Sequence, residues 1–286
     1  MPHAANSSFR SPFREGGRNR GRKARSTLGN LRKYSSMNPK LPAFFLCLAI
    51  NQCLYAPAAS HQDSHVRNGY DIEKTGLIAR YPKTLRCSPL TSFYASWDDV
   101  DGTRRSEPHS GVDGGRLGDP IFSPAAGSVK AVWKANWGWG EEGALLIRHS
   151  REDVALKDGP LYYYSEFDHL KYDEIQSITE GSKVVRGQKL ATVSRPGGKK
   201  QYLPEVHWEV WEVADDSLTT WQRNKFGGQR WTNSSAHLID PLYMLGRNDP
   251  PSEDGSVDIQ PYRDGEDFRS FKGFTYILPC TPKKPW

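Results

Sequence analysis

The sequence predicts an all-β fold with little helix, on three observations. Gly and Pro together supply 46 of the 286 residues, so turns are frequent. Aromatic residues reach 12%, with 9 Trp, although hydrophobic content is only 36%. Short apolar runs recur between turn signals from about residue 106 onward, the spacing of an antiparallel sheet or sandwich.

The elements follow in order. Ile121-Phe122 and Gly127–Val132 read as strands, as do Ala144–His149 and Leu161–Tyr164. Val184–Val193 reads as two short strands about a turn at Gly187. Asp173–Thr179 reads as a short helix or a turn. Glu205–Val213 alternates apolar and polar residues and is the clearest strand. Residues 215–237 read as a polar insertion, His237–Leu245 as the closing segment, and 247–270 as loop or linker. The division expected is a domain over 104–246, an extension over 60–103 packed on it, and a tail over 247–286.

The N-terminus differs from the rest. Residues 1–36 are rich in Arg, Ser, Gly and Asn, the composition of a disordered segment. From Met37 the chain runs through Lys40, an apolar stretch from Leu41 to Leu54 and an Ala56-Pro57-Ala58 exit. That is the layout of a secretory signal peptide over 37–59. It is too short, and too interrupted at Asn51 and Gln52, to span a membrane. Met37 then becomes the expected start, and export to the periplasm or beyond the cell the expected destination. Cys47 and Cys53 are apolar filler in this segment, or one of them is a lipid anchor, against which Gln52 argues.

Charge argues against one function class. The net charge is +6, but residues 1–40 hold ten Lys/Arg against Glu15 alone, a balance of +9. The remaining chain is at −3, so its folded part gives no electrostatic footprint for nucleic acid. Cys87 and Cys280 remain after the signal segment, an even count that suits a disulfide in an exported protein.

Few residues can carry chemistry. In EPHSGVDGG, His109 and Asp113 lie four apart, and Gly111, Gly114 and Gly115 argue for a turn rather than a helix. A turn brings imidazole and carboxylate to one point, where they could share a metal or simply face solvent. In PEVHWEVWEV, alternation puts Glu205, His207, Glu209 and Trp211 on one face and Val206, Trp208 and Val210 on the other. The second face is core. The first pairs a carboxylate with an imidazole, either as ligand and proton acceptor or as a polar solvent face. His169, in SEFDHLKY, and His149 each end an apolar run. His61 and His65 fall in a stretch without strand pattern.

The order of these pieces resembles that of the lysostaphin-type metallopeptidases. HSGVDGGRLGDPIFSPAAGSVKAV is similar to the family's opening, with His109, Gly111, Asp113, Gly118, Pro120, Ala125, Gly127 and Val129 in matching positions. GALLIRH, FDHL at 167–170, SKVVRGQKLATV, VHWEV at 206–210 and DPLYML at 240–245 resemble its later segments, in order. The resemblance implies an all-β peptidase domain of the duplicated hybrid motif kind. It implies one zinc ion (Zn2+) on His109, Asp113 and His207, and His169 as the histidine acting on substrate or intermediate. It implies hydrolysis of peptidoglycan peptides; the charge distribution and the cleaved signal segment, in turn, imply no nucleic-acid partner and no stable membrane span. Glu205 stands where the family has a histidine acting as general base. A carboxylate beside a metal-activated water can also take a proton. The replacement leaves two expectations: a zinc metalloendopeptidase with Glu205 and His169 as its catalytic residues, or an impaired domain that binds the cell wall or regulates other cell-wall hydrolases.

Overall fold

The structure is a computed structural model and describes residues 66–67, 70–72, 74–93 and 108–284. The basic segment 1–36, the signal segment 37–59 and residues 94–103 lie outside the described residues. Strands come in chain order as β1 (Val66–Arg67), β2 (Tyr70–Asp71), β3 (Ile78–Arg80), β4 (Leu85–Cys87), β5 (Val112–Gly114) and β6 (Pro120–Phe122). The long strands follow: β7 (Gly127–Ala135), β8 (Glu142–Ser150) and β9 (Tyr162–Leu170). Then come α1 (Tyr172–Ile175), β10 (Lys183–Val184), β11 (Lys189–Thr192), β12 (Val206–Val213), β13 (Thr219–Arg223) and β14 (Gln229–Asn233). The chain closes with β15 (Ala236–Ile239), α2 (Pro241–Leu245), β16 (Ser256–Asp258) and β17 (Cys280–Pro282). The fold is all-β with short helices, as the sequence predicts.

A seven-stranded sheet organises the chain in the order β10-β7-β8-β9-β12-β15, with β5 also on β12. On its outer side β12 takes β5 along 206–208 and β15 along 210–213. Its inner side pairs with β9 from His207 to Val213. β12 is thus the strand that brings together residues from opposite ends of the domain.

Both faces of this sheet are covered. Phe167 and Trp208 stack on one face, and Phe274 packs against Trp208 there. Phe274, Tyr276, Ile277 and Leu278 are buried with the strands, so the segment read as a tail contributes to the core. The other face carries Tyr164, Glu166, Glu209 and Trp211, set side by side by the β9–β12 register. The segment read as a polar insertion covers it. β13 and β14 form a hairpin whose Trp231 is buried against Trp211 and Tyr164, with ring centroids 5.1 and 5.4 Å apart. Asp216, just before β13, ties the hairpin down through Arg148 and Lys130 at 2.9 Å each and through the Tyr164 hydroxyl.

The extension is held by backbone pairing and a covalent bond. β3 pairs in parallel with β16, and β4 pairs antiparallel with β17 so that Cys87 faces Cys280. The two form a disulfide across 193 residues of sequence. At the other end, Asp240 caps α2: its carboxylate accepts the Leu242 N–H at 2.9 Å, with Pro241 at the first helical position.

Candidate metal centre

Pairing on β12 builds the centre. His207 is registered with Asp113 of β5 on one side and Asp168 of β9 on the other. Directly opposed residues share a face, so Asp113, His207 and Asp168 form a row across three strands. His109 arrives from the segment just before β5. That approach needs Gly111, where a Cβ would stand 2.5 Å from the Trp208 carbonyl oxygen and 2.9 Å from the His207 ring.

Three donor atoms converge. His109 Nε2 lies 3.0 Å from His207 Nδ1 and 3.1 Å from Asp113 Oδ2, and His207 Nδ1 lies 2.8 Å from Asp113 Oδ1. All three side chains are buried. They form a group whose donor atoms all lie within 4.8 Å of one another. Donors about 2.0–2.2 Å from a tetrahedral zinc ion stand roughly 3.3–3.6 Å apart, a little wider than the spacing here. Two imidazole nitrogens and a carboxylate oxygen are the donor types that zinc takes, so the residues fit the ion.

Electrostatics couple the three side chains. Burial alone would raise the Asp113 carboxyl, but His109 and then His207 outweigh it and hold it well below the usual carboxylate range. Burial lowers the His207 ring, yet Asp113 and Glu209 more than reverse this and push it up to about 10. A metal held on Nδ1 would displace a proton from His207.

The ring of His207 is oriented from behind. Its Nε2 lies 3.2 Å from Glu209 Oε1. Glu209 also accepts the Trp211 indole N–H at 3.1 Å and the Ser110 hydroxyl. With the proton on Nε2, the Nδ1 lone pair faces His109 and Asp113.

His169 and Glu205 stand beside the cluster. Gly143 pairs with Leu170 and Leu145 with Phe167, so two residues of β9, Asp168 and His169, oppose Ala144 alone. That bulge turns two successive side chains toward the centre, and His169 adopts a left-handed φ of 61° there. Its ring centroid lies 6.1 Å from that of His207 and 5.0 Å from that of Trp139. Its Nε2 is 3.9 Å from Glu205 Oε1, and its Nδ1 is 2.9 Å from Glu142 Oε2. Burial works against charge on this ring; Glu142 and then Glu205 and Asp168 outweigh it, and the His169 pKa is raised. Glu205 keeps a partly exposed side chain, while its backbone N–H bonds the Ser194 carbonyl at 2.9 Å.

The structure therefore gathers His109, Asp113 and His207 at one point and sets His169 and Glu205 facing each other next to it. It places His149 elsewhere, on the opposite face of the sheet, where it meets Ala126, Ser165 and Phe274. Sequence reading put Glu209 on the face of His207 but gave no sign of Glu142 or Asp168. Asp168 Oδ1 is buried with no hydrogen-bond partner among the described residues. Burial, with Glu209 adding to it and His207 opposing, pushes the Asp168 carboxyl up to about 7.

No family model and no curated protein matches the sequence. Several solved structures match part of it. A zinc-containing peptidase from Vibrio cholerae is 26% identical over 51% of this chain and 41% of its own, with a TM-score of 0.31. The catalytic domain of lysostaphin from Staphylococcus simulans is 18% identical over 54% of this chain and 90% of its own, with a TM-score of 0.33. A mutant catalytic domain of the prophage-encoded M23 protein EnpA from Enterococcus faecalis is 22% identical over 42% and 78%, with a TM-score of 0.27. The chain spans about two-fifths of the length of the Vibrio peptidase. Over about half its length, this all-β chain resembles the lysostaphin-type zinc peptidases.

Proposed function

We propose that the chain is an exported zinc metalloendopeptidase that hydrolyses peptide bonds of bacterial cell-wall peptidoglycan. One observation carries the reading: the convergence of His109, Asp113 and His207 directly beside the facing pair His169 and Glu205. The three buried donors would hold one zinc ion. The chemistry zinc supplies when bound is Lewis acidity, which polarises a carbonyl oxygen and makes water a stronger acid. The chain's own groups handle the protons. Glu205, partly open to solvent, takes a proton from the attacking water. His169 Nε2, on the same side, receives that proton from Glu205 and passes it to the leaving amine. The Cys87–Cys280 disulfide supports an oxidising compartment, in keeping with export. Among the described residues no helix is long and apolar enough to cross a membrane.

Glu205 also favours a second reading, because it replaces the histidine that the resemblance places there. On that reading the domain binds metal but serves to regulate other cell-wall hydrolases. Digestion of purified peptidoglycan separates the two. Zinc-loaded chain, chelator-treated chain and His207→Ala are run in parallel, and products are read by mass spectrometry. New peptide termini in the zinc-loaded chain alone support the enzyme. Zinc bound one to one without cleavage moves the reading to the regulator.

A further inference from the structure

The facing pair has a third member on the far side of the imidazole. Glu142 opens β8, 27 residues before His169, and only 4% of its surface is exposed. Its Oε2 lies 2.9 Å from His169 Nδ1 and accepts the Gly197 backbone N–H at 3.2 Å. No lysine or arginine among the described residues forms an ion pair with it, so its charge is directed at the imidazole. The ring is thus held between two carboxylates, Glu142 at Nδ1 and Glu205 at 3.9 Å from Nε2.

We propose that Glu142 is a positioning residue for His169: it keeps a proton on Nδ1 and holds the ring so that Nε2 faces Glu205 and the metal centre. Three features make this specific. The bulge in β9 and the left-handed backbone at residue 169 aim the side chain but leave its tautomer open. A neutral imidazole has one N–H, and a carboxylate, which only accepts, selects the nitrogen that carries it. Trp139 packs edge-on against the ring at 5.0 Å and limits its rotation, so Glu142 sets the proton and Trp139 the plane. Gly197 helps fix Glu142 in turn. Its φ of 56° and its position against the Trp139 carbonyl, where a Cβ would stand at 2.2 Å, tie the 196–198 turn to the loop carrying Trp139. The result is a carboxylate–imidazole–carboxylate line whose outer carboxylate never needs to touch substrate.

This role rests on the peptidase reading, and its first test does not need activity. In the zinc-loaded full chain with 15N-labelled histidine, the His169 proton is expected on Nδ1, hydrogen-bonded and shifted downfield. In Glu142→Gln, whose amide can donate as well as accept, that signature should be lost or mixed. The second test is kinetic. Glu142→Gln should lower kcat about ten- to a hundred-fold, with KM and bound zinc each changed less than two-fold. A wild-type His169 ring whose Nδ1 carries no proton overturns the proposal, whether or not the variant folds. So does a variant that melts earlier but keeps its kcat per folded molecule, which is what a purely structural carboxylate would give. If the wild-type chain cleaves no peptidoglycan, the peptidase reading fails by itself, and the nitrogen signals still decide whether Glu142 sets the His169 tautomer.

Discussion

Glu209 Oε1 lies 3.2 Å from His207 Nε2, on the side of the ring away from Asp113, which lies 2.8 Å from Nδ1. One imidazole therefore has a carboxylate at each nitrogen, and the two do different work. Asp113 would share the metal with His207, whereas Glu209 takes the proton that must stay off Nδ1. Glu209→Gln weakens that acceptor and admits the wrong tautomer. Partners of this kind typically contribute 10- to 100-fold in metal affinity. Competition between the chain and a chromophoric chelator should show a zinc Kd raised by about that factor, with the fold kept. An unchanged Kd would mean that the ring is oriented by packing alone.

In the proposed peptidase, Glu205 is the residue on which activity would turn. Its side chain is partly exposed and opposes His169, whose ring lies beside that of His207. A positioned general base contributes about 10²–10⁴-fold. Glu205→Ala should therefore lower peptidoglycan cleavage by about that range while zinc stoichiometry stays at one. Glu205→His should restore part of the loss, because imidazole also accepts a proton near neutral pH. Equal rates for the wild-type chain and the alanine variant would remove Glu205 from the mechanism.

Much of this was legible in the sequence, for reasons of periodicity. Strict alternation over 205–213 fixes which side chains share a face, and it grouped His207 with Glu209 before any pairing was known. The glycines around Asp113 exclude a helix, and Gly111 proves to be the point where the chain crosses the His207 ring. What remained hidden depends on pairing across long sequence gaps. Glu142 meets His169 only because β8 lies beside β9 and the ladder between them is bulged, and no local pattern announces a bulge. The 215–237 segment looked polar because a hairpin covering a sheet buries one face only. Its Trp231 donates its indole N–H to Glu166 at 2.8 Å on the buried side.

The disulfide should matter for the metal as well as for stability. Thr91, four residues after Cys87, donates its N–H to the Asp113 carbonyl at 2.7 Å, and its hydroxyl accepts the Asp113 N–H at 2.8 Å. The extension therefore braces the strand that carries Asp113, and Cys87–Cys280 anchors the extension. Closing a loop of this length contributes on the order of 2–5 kcal/mol. Cys87→Ser with Cys280→Ser should lower the denaturant midpoint accordingly and weaken zinc binding measurably. Loss of stability with an unchanged zinc Kd would show that Thr91 holds its place without the bond.

His149 gives the chain an acid-sensitive core. It is fully buried, with Nδ1 2.6 Å from the Ala126 carbonyl oxygen and Nε2 3.1 Å from the Ser165 hydroxyl. Burial lowers its pKa from 6.5 to about 4, although the Ala126 bond opposes the shift. A depressed folded pKa means that the unfolded chain binds the proton more readily. The stability from this group is therefore complete above about pH 6.5 and is lost as pH falls toward and past 4. The span corresponds to about 3 kcal/mol at roughly 1.4 kcal/mol per pH unit. Asp240 acts in the opposite sense. Burial raises it to about 6, so its contribution is complete below its ordinary value and is lost as pH rises through 6. Comparing the wild-type chain with His149→Gln cancels the Asp240 contribution and the other acids. The variant should be less stable at pH 7.5, and the gap should narrow steadily between pH 6.5 and 4. A gap that stays constant across that range would mean that His149 is protonated in the folded chain, or that the core admits water around it.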